Sequence, residues 1–176
     1  MIVRAARPDD ATAVAAIYGG HVRDGLGTFE EIAPDAAEIA RRMAAVEAHD
    51  LPYLVADAGG GEIAGFAYAS PFRLRVAYRF TCEDSVYVHP ARTGQGYGRA
   101  LLEGVLAGSE ARGMRQVMAV IGDSANAASI GLHRSLGFDW CGVGRELGYK
   151  HDRWVDIVLM QKAIGQDRPL GQGLEF

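Results

Sequence analysis

The sequence is poor in cysteine. Only two of its 176 residues are cysteine, Cys82 and Cys141, and they are not in C-x-x-C spacing. Two such residues cannot form a disulfide framework or a cysteine-based zinc site. No cluster of histidine and sulfur ligands occurs elsewhere in the sequence. We therefore expect two reduced, partly buried thiols and no bound metal.

Long hydrophobic runs and an excess of basic charge are also lacking. No uncharged apolar run approaches the roughly 20 residues that cross a bilayer, and the first ten residues lack the apolar core of a signal peptide. The net charge is −4 at pH 7, whereas binding to a phosphate backbone needs basic charge on the binding face. We expect a cytoplasmic protein that binds neither membranes nor nucleic acids.

The composition that remains is that of one globular domain. Hydrophobic residues make up 49% and charged residues 23% of the chain, as in ordinary folded domains. A chain of this length can bury a core without disulfide bonds. The last dozen residues lack periodicity, so we predict one domain over residues 1–163 and a tail over residues 164–176.

Hydrophobic periodicity and turn residues predict the order of the elements. The order is one strand, two helices, three strands, a helix, a strand, a helix and two strands. The predicted strands are 2–5, 53–56, 63–69, 81–88, 117–121, 138–149 and 153–162, and the predicted helices are 9–22, one that begins at Pro34, 99–112 and 126–136.

The most informative segment is a strand that leads through a glycine-rich loop into a helix. The strand ends in Val86-Tyr87-Val88 and the loop spans Gly94–Gly98. Glycines let a backbone approach a ligand closely, and free N–H groups at a helix start bind phosphate. No Lys-Ser or Lys-Thr pair follows, which argues against a P-loop. Dinucleotide binding stays open because Asp123 lies at a suitable distance downstream, although the spacing is G-x-G-x-G.

These residues resemble the GNAT superfamily of acetyl-CoA-dependent N-acetyltransferases. The loop matches at residues 93–98, with Thr93 where the superfamily usually has Arg or Gln. A second signature spans Asn126–His133 and continues through Leu136-Gly137-Phe138. The resemblance implies an α/β fold with a mixed, mostly antiparallel sheet of about seven strands, flanked by helices and splayed at the acetyl-CoA site. The residues that it implies for binding acetyl-CoA are Val86, Tyr87, Val88, Gly94, Gln95, Gly96, Tyr97, Gly98, Arg99, Asn126 and Ser129.

Within the superfamily the chain is similar to the phosphinothricin and methionine sulfoximine acetyltransferase group. Four segments carry this similarity, at residues 28–30, 71–78, 81–88 and 148–156. Phe72 stands where the group often has Trp. The resemblance implies acetylation of the amino group of a small amino acid or analogue. It also implies a homodimer in which segment 148–156 approaches the partner's site.

Acetyl transfer to an amine needs a base for the amine proton, stabilisation of an oxyanion, and an acid for the departing thiolate. Glu83 precedes the strand end that pairs with pantetheine in this family, so we expect it to be the general base. Side-chain alternation turns Asp84 to the opposite sheet face. His133 stands where many members have a catalytic tyrosine; it is either the general acid or a helix histidine satisfied by one hydrogen bond. The resemblance places the oxyanion near a backbone N–H of Tyr87 or Val88.

Three arginines lie close together beside this segment. Arg73 and Arg75 suit an anion clamp for the substrate's carboxylate or phosphinate group, or they are solvated surface residues, as we expect for Arg79. The resemblance adds Phe29 and Tyr78 to the substrate site. Two alternatives stay open: an acetyltransferase for polyamines or protein N-termini, and a sensor that binds acetyl-CoA without catalysis. The presence of both Glu83 and His133 argues against the sensor.

Overall fold

The computed structural model describes residues 1–165 of the chain. Its strands are β1 (Ile2–Ala5), β2 (Tyr53–Asp57), β3 (Ile63–Pro71), β4 (Thr81–Val88), β5 (Gln116–Gly122), β6 (Asp139–Lys150) and β7 (Arg153–Ala163). They form one seven-stranded sheet in the order β1-β2-β3-β4-β5-β7-β6. Neighbours are antiparallel except β4 and β5, which are parallel. The mixed α/β fold and the element order predicted from the sequence are confirmed.

Four α-helices cover the two faces of the sheet: α1 (Ala11–Asp24), α2 (Ala36–Ala48), α3 (Tyr97–Ala111) and α4 (Ala127–Ser135). Helices α1 and α2 pack with Val55 and Phe66 in one apolar cluster. Helix α3 packs on the other face, with Ala56 and Ala67 in a second cluster. Consecutive strand residues thus contribute to opposite cores, as the two-residue period of a strand requires.

The helix starts follow local hydrogen bonding. Helix α1 begins at Ala11, two residues later than predicted, because Pro8–Asp10 form a 3-10 turn. The Asp10 carboxylate accepts hydrogen bonds from the Arg4 guanidinium at 2.7 and 2.8 Å and from the Arg7 backbone N–H at 2.7 Å. Helix α2 begins after Asp35, whose carboxylate accepts from the Glu38 N–H at 2.8 Å, as an N-cap does.

The two parallel strands at the centre of the sheet separate part-way along. Pairing between β4 and β5 runs from Thr81 and Gln116 to Asp84 and Ala119. Beyond that point β4 continues to Val88 without a partner on this side, while β5 stays paired with β7. The predicted splay is therefore present, and it opens a cleft between strand ends.

The two cysteines differ in exposure. Both are free thiols; Cys82 is buried, and burial raises its pKa to about 11. Cys141 is exposed because it lies in β6, the edge strand of the sheet. The expectation of two partly buried thiols is thus wrong for both residues.

The end of the described chain is packed. Ile164, which the sequence assigns to the tail, is buried and its N–H donates to the Arg115 carbonyl at 2.9 Å. The rest of the predicted tail, from residue 166, lies outside the described residues. Within residues 1–165, no helix is long and apolar enough to cross a membrane.

Candidate active site

The separation of β4 and β5 opens a cleft of about 490 Å³. Residues at the start of α3 and on α4 line the cleft, as does His21 of α1. All the residues predicted to bind acetyl-CoA line the cleft except Gln95, and so does His133. Residues that the sequence does not assign to the coenzyme also line the cleft, including His21, Gly27, Asp84, Ser85, Gly122 and Leu132.

The glycine-rich loop leaves open space where side chains would otherwise project. Gly94 and Gly96 have φ of 72° and 87°, and no atom lies within 4 Å of the position that a Cβ would take at either residue. Gly96 is the N-cap of α3, and no side chain caps the helix. The first N–H groups of α3 are therefore available to an anion, with the helix dipole favouring negative charge. A pyrophosphate fits this cradle.

Polar side chains of the loop bind elsewhere. Gln95 Nε2 donates to the Ala91 carbonyl at 3.2 Å, and Thr93 Oγ1 donates to the Pro90 carbonyl at 3.0 Å. Arg92, one position before the expected Arg or Gln, forms a 2.7 Å ion pair with Glu62. The loop therefore offers a ligand mainly backbone N–H groups.

Helix α4 is fixed to the end of β5 by Asn126. Its Oδ1 accepts from the Ser129 N–H at 3.1 Å as an N-cap, and its Nδ2 donates to the Gly122 carbonyl at 3.4 Å. On the other side of the cleft, His21 Nε2 of α1 donates to the Val88 carbonyl at 2.9 Å. No sequence pattern marks His21, because its contact with β4 depends on how α1 packs.

Glu83 and Asp84 face opposite sides of the sheet, as alternation predicts. Glu83 is opposite Ser70 in the β3–β4 ladder and shares the face of α1 and α2. Burial raises the pKa of Glu83, and the nearby Asp84 charge adds to this effect, while the Arg73 charge partly offsets it. Asp84 points to the α3 and α4 side, where it meets His133.

His133 has two partners rather than the single hydrogen bond that we considered for a structural histidine. Its Nδ1 lies 2.8 Å from the Ser129 carbonyl oxygen, and its Nε2 lies 3.0 Å from Asp84 Oδ2. The ring is 2% exposed and contacts the Phe138 ring edge-to-face at 5.0 Å. Burial lowers the pKa of His133, but the hydrogen bond and charge of Asp84 outweigh burial and raise it overall.

The α1–α2 loop is held by a network of buried and half-buried polar groups. Tyr18 Oη contacts Thr28 Oγ1 at 2.8 Å and donates to Glu30 Oε1 at 2.9 Å. Glu30 also receives two hydrogen bonds from the Arg42 guanidinium. Lys150, at the end of β6, is 2% exposed and donates to the Thr28 carbonyl at 2.8 Å. This contact brings segments 28–30 and 148–156 together.

The predicted substrate residues lie on two exposed segments. Phe29 is 39% exposed and its ring packs against the Gly148 backbone so closely that a Cβ there would clash. Arg73 and Arg75 are exposed, and the Arg73 guanidinium lies 4.7 Å from the centre of the Phe72 ring. Tyr78 contacts the same ring edge-to-face at 5.8 Å.

The alternative of dinucleotide binding finds no support in the geometry. Asp123 forms a 3.0 Å ion pair with Arg153 and does not line the cleft. Strands β4 and β5 are parallel and joined through α3, as in a dinucleotide-binding βαβ unit, so it is the position of Asp123 and the G-x-G-x-G spacing that count against dinucleotide binding. Among residues 1–165, no group of three His, Cys, Asp or Glu side chains could hold a metal ion.

Comparison with known proteins gives a consistent result. The model of the acetyltransferase (GNAT) family matches residues 16–138. Phosphinothricin N-acetyltransferase of Alcaligenes faecalis is 49% identical over 162 residues, 92% of this chain and 82% of that protein. The L-methionine sulfoximine/L-methionine sulfone acetyltransferase of Pseudomonas paraeruginosa is 36% identical over 94% of this chain and 96% of its own.

Solved structures show the same likeness. A GNAT phosphinothricin acetyltransferase of Sinorhizobium meliloti, crystallised with acetyl-CoA, has a TM-score of 0.90 and 42% identity, over 94% of this chain and 89% of its own. A structure described as ribosomal-protein-alanine N-acetyltransferase of Brucella melitensis has a TM-score of 0.90 and 35% identity, over 93% and 100% of the two chains.

Proposed function

The chain belongs to the GNAT family of acetyltransferases, and on that premise we propose that it acetylates the amino group of a small amino acid or amino-acid analogue by direct transfer from acetyl-CoA. Phosphinothricin and methionine sulfoximine or sulfone are the substrate types that we expect. The observation that carries the proposal is the position of Glu83. This half-buried carboxylate immediately precedes Asp84, the last residue of β4 that pairs with β5. Glu83 does not itself line the cleft that suits the coenzyme, but the next five residues of β4 do.

The coenzyme would occupy the cleft between β4 and β5. The N–H groups at the start of α3 and the loop around Gly94 and Gly96 would bind its pyrophosphate. The free edge of β4 from Val86 to Val88 would pair with the pantetheine amides, since β5 no longer occupies that edge. A backbone N–H near Tyr87 or Val88 would stabilise the oxyanion.

Glu83 would take the proton of the attacking amine, directly or through a water molecule. Its raised pKa favours this role, because a base works best when its pKa lies nearer the operating pH. Glu83 is on the sheet face of α1 and α2, so the amine would approach from that side.

His133 would supply the proton for the sulfur of coenzyme A. It lines the coenzyme cleft on the other sheet face from Glu83. The base and the acid would thus act from opposite sides of the split in the sheet, and neither has to exchange roles during the transfer.

Arg73 and Arg75 would bind the acidic group of the acceptor. Both are exposed on the segment after β3, and the positive charge of Arg73 acts to lower the pKa of Glu83. A guanidinium makes two parallel hydrogen bonds to a carboxylate or phosphinate. Phe29 and Tyr78 would line the same acceptor site with aromatic surface.

A second candidate function is N-terminal acetylation of a protein, and the similarity to the Brucella melitensis structure favours it. A panel of acceptors separates the candidates: L-phosphinothricin, methionine sulfoximine, methionine sulfone, proteinogenic L-amino acids, spermidine, and short peptides with N-terminal alanine. We expect release of the coenzyme A thiol with amino acids and analogues. Turnover confined to peptides or spermidine would replace the proposed substrate class.

We also propose a homodimer that forms through the β6–β7 edge of the sheet. Large apolar side chains are exposed there, among them Leu147, Tyr149 and Trp154, each more than half exposed. Tyr149 and Trp154 contact each other edge-to-face at 5.2 Å. Segment 148–156 would then lie close to the partner's site. The cytoplasmic location expected from the sequence stays a prediction.

A further inference from the structure

Asp84 is a buried carboxylate at the point where β4 and β5 separate. It is 5% exposed and is the last residue of β4 that pairs with β5. One oxygen, Oδ2, contacts His133; the other, Oδ1, has no hydrogen-bond partner among the described residues. A buried carboxylate is costly unless a charged group compensates it. Among residues 1–165, the His133 ring is the one group in contact with Asp84 that can carry a positive charge.

The partners of His133 define its protonation state. Nδ1 lies 2.8 Å from the Ser129 carbonyl oxygen, which can only accept a hydrogen bond, and 3.4 Å from Ser129 Oγ. The shorter contact to the carbonyl oxygen requires that Nδ1 carries a proton. Nε2 faces a carboxylate oxygen, so a second proton lies between Nε2 and Oδ2. The pair is neutral as a whole, with an imidazolium beside a carboxylate.

The other groups around the pair leave this state undisturbed. Cys82, two residues before Asp84 on the same face of β4, stays a neutral thiol because burial raises its pKa to about 11. Glu83 points to the opposite face, Ala119 is the β5 residue paired with Asp84, and Arg99 of α3 forms an exposed ion pair with Glu103. Asp84 is therefore the charged group that acts on the ring.

Building on the N-acetyltransferase function proposed above, we propose that Asp84 is a positioning residue for acetyl transfer. It holds the His133 ring at the wall of the coenzyme cleft with both nitrogens protonated, so that His133 enters the reaction as an acid. An unpaired ring in this buried position would be neutral, since burial disfavours its charged form.

Proton and charge balance are simple for this arrangement. The bond between the amine nitrogen and the acetyl carbon forms, and the carbon–sulfur bond breaks with its electron pair on sulfur. Glu83 takes one amine proton, and the proton shared by His133 Nε2 and Asp84 Oδ2 passes to the sulfur, which leaves His133 with its Nδ1 proton and Asp84 ionised. Because one side chain gains a proton and another loses one, the summed charge of Glu83, Asp84 and His133 does not change.

The test is nitrogen-15 NMR of the protein with labelled histidines, free of ligand, combined with pH–rate profiles. His133→Gln identifies the His133 signals among the five histidines of the chain. We expect both ring nitrogens of His133 to be protonated at pH 7 and to titrate above the ordinary histidine pKa of about 6.5. The fall of kcat at high pH, which is the alkaline limb of the pH–rate profile, should occur over the same pH range as that titration.

Asp84→Asn separates positioning from packing, because it keeps the shape and removes the charge. We expect His133 to titrate at lower pH, the alkaline limb of kcat to move down with it, and kcat to fall by a factor of about 10² or more. The KM for acetyl-CoA should change less than about twofold, because no binding contact is removed. Asp84→Glu should restore part of kcat, and Asp139→Asn, an exposed aspartate in β6, is the unaffected control.

Two results would overturn the proposal. One is a wild-type His133 with a single protonated nitrogen at pH 7, which needs no variant to fold. The other is a His133 titration that does not coincide with the alkaline limb of kcat. A wild-type protein that acetylates no amino acid while its His133 is doubly protonated would contradict the proposed function instead, so the two failures are distinguishable.

Discussion

At the scale of single residues, Glu83 and Asp84 illustrate how two adjacent carboxylates acquire different chemistry. Glu83 is half-buried with Arg73 near it, and its pKa is raised by burial. Asp84 is buried against His133, whose pKa it raises. Strand alternation alone separates the two environments. In the proposed mechanism, one face of the sheet therefore carries the base and the other face carries the acid.

Glu83→Gln should reduce kcat at pH 7 by a factor of about 10²–10⁴, since Gln keeps the shape but accepts no proton. A base must be ionised to act, so the activity of the wild type should fall as the pH drops through the pKa of Glu83. Because burial raises that pKa, the fall should occur at a higher pH than for an ordinary glutamate. The loss in the variant should shrink as pH rises, because more amine arrives already neutral.

Steady-state rates from pH 6 to 10 measure both effects. Glu47→Gln, an exposed glutamate of α2, is the matched control and should behave as wild type. A Glu83→Gln enzyme with unchanged kcat and an unchanged pH profile would make Glu83 a structural residue.

Arg75→Ala should raise the KM for an acidic or zwitterionic acceptor by about 1.5–3 kcal/mol, on the order of 10- to 150-fold, because a charge-assisted hydrogen bond is lost. The affinity for acetyl-CoA, measured by calorimetry, should stay as in wild type. Arg112→Ala removes a guanidinium that pairs with Asp50 past the end of α3 and serves as control. An unaltered acceptor KM would contradict the anion clamp.

At the scale of elements, the proposed coenzyme site depends most on the junction of β4, the glycine-rich loop and α3. The loop places uncapped N–H groups at the cleft, and Gly94 and Gly96 leave their Cβ positions empty. Both adopt positive φ, which few other residues tolerate. The junction thus joins a free strand edge to an anion-binding helix end.

Gly96→Glu should abolish acetyl-CoA binding in calorimetry, because a side chain and a negative charge would enter the cradle. Gly60→Glu in the β2–β3 turn is the control for backbone strain alone. Gly60 has φ of 64°, and the position that its Cβ would take is as open as that at Gly96. Gly60→Glu should lose similar stability but keep its affinity for acetyl-CoA. Equal binding losses in both variants, or tight NADH binding by the wild type, would contradict the coenzyme assignment.

At the scale of the whole molecule, the sequence predicts local features better than contacts between distant segments. The order of the elements can be predicted from apolar periodicity and glycine positions. The glycine-rich loop can be predicted from its own residues. The contacts of His21 with Val88, of Asp84 with His133 and of Lys150 with Thr28 join positions 67, 49 and 122 residues apart. Their partners are set by helix packing and by the β6–β7 hairpin, which no local pattern encodes.

The proposed homodimer has its own test at this scale. Trp154→Lys places a charge in the exposed apolar surface of the β6–β7 edge, so we expect it to shift the mass measured by light scattering from dimer to monomer. Ile2→Lys is the control, since Ile2 is 66% exposed on β1, the opposite edge of the sheet. A wild-type protein that is monomeric at micromolar concentration would contradict the dimer.

The most direct test of the proposed function is the identity of the acetylated atom. Wild-type protein is incubated with carbon-13-labelled acetyl-CoA and either L-methionine sulfoximine or L-phosphinothricin, and the product is analysed by mass spectrometry and NMR. We predict one labelled acetyl group on the α-amino nitrogen, formed in step with coenzyme A release and suppressed in Glu83→Gln. Coenzyme A release without a labelled amide, or no turnover of any amino acid or analogue while acetyl-CoA binds, would contradict it.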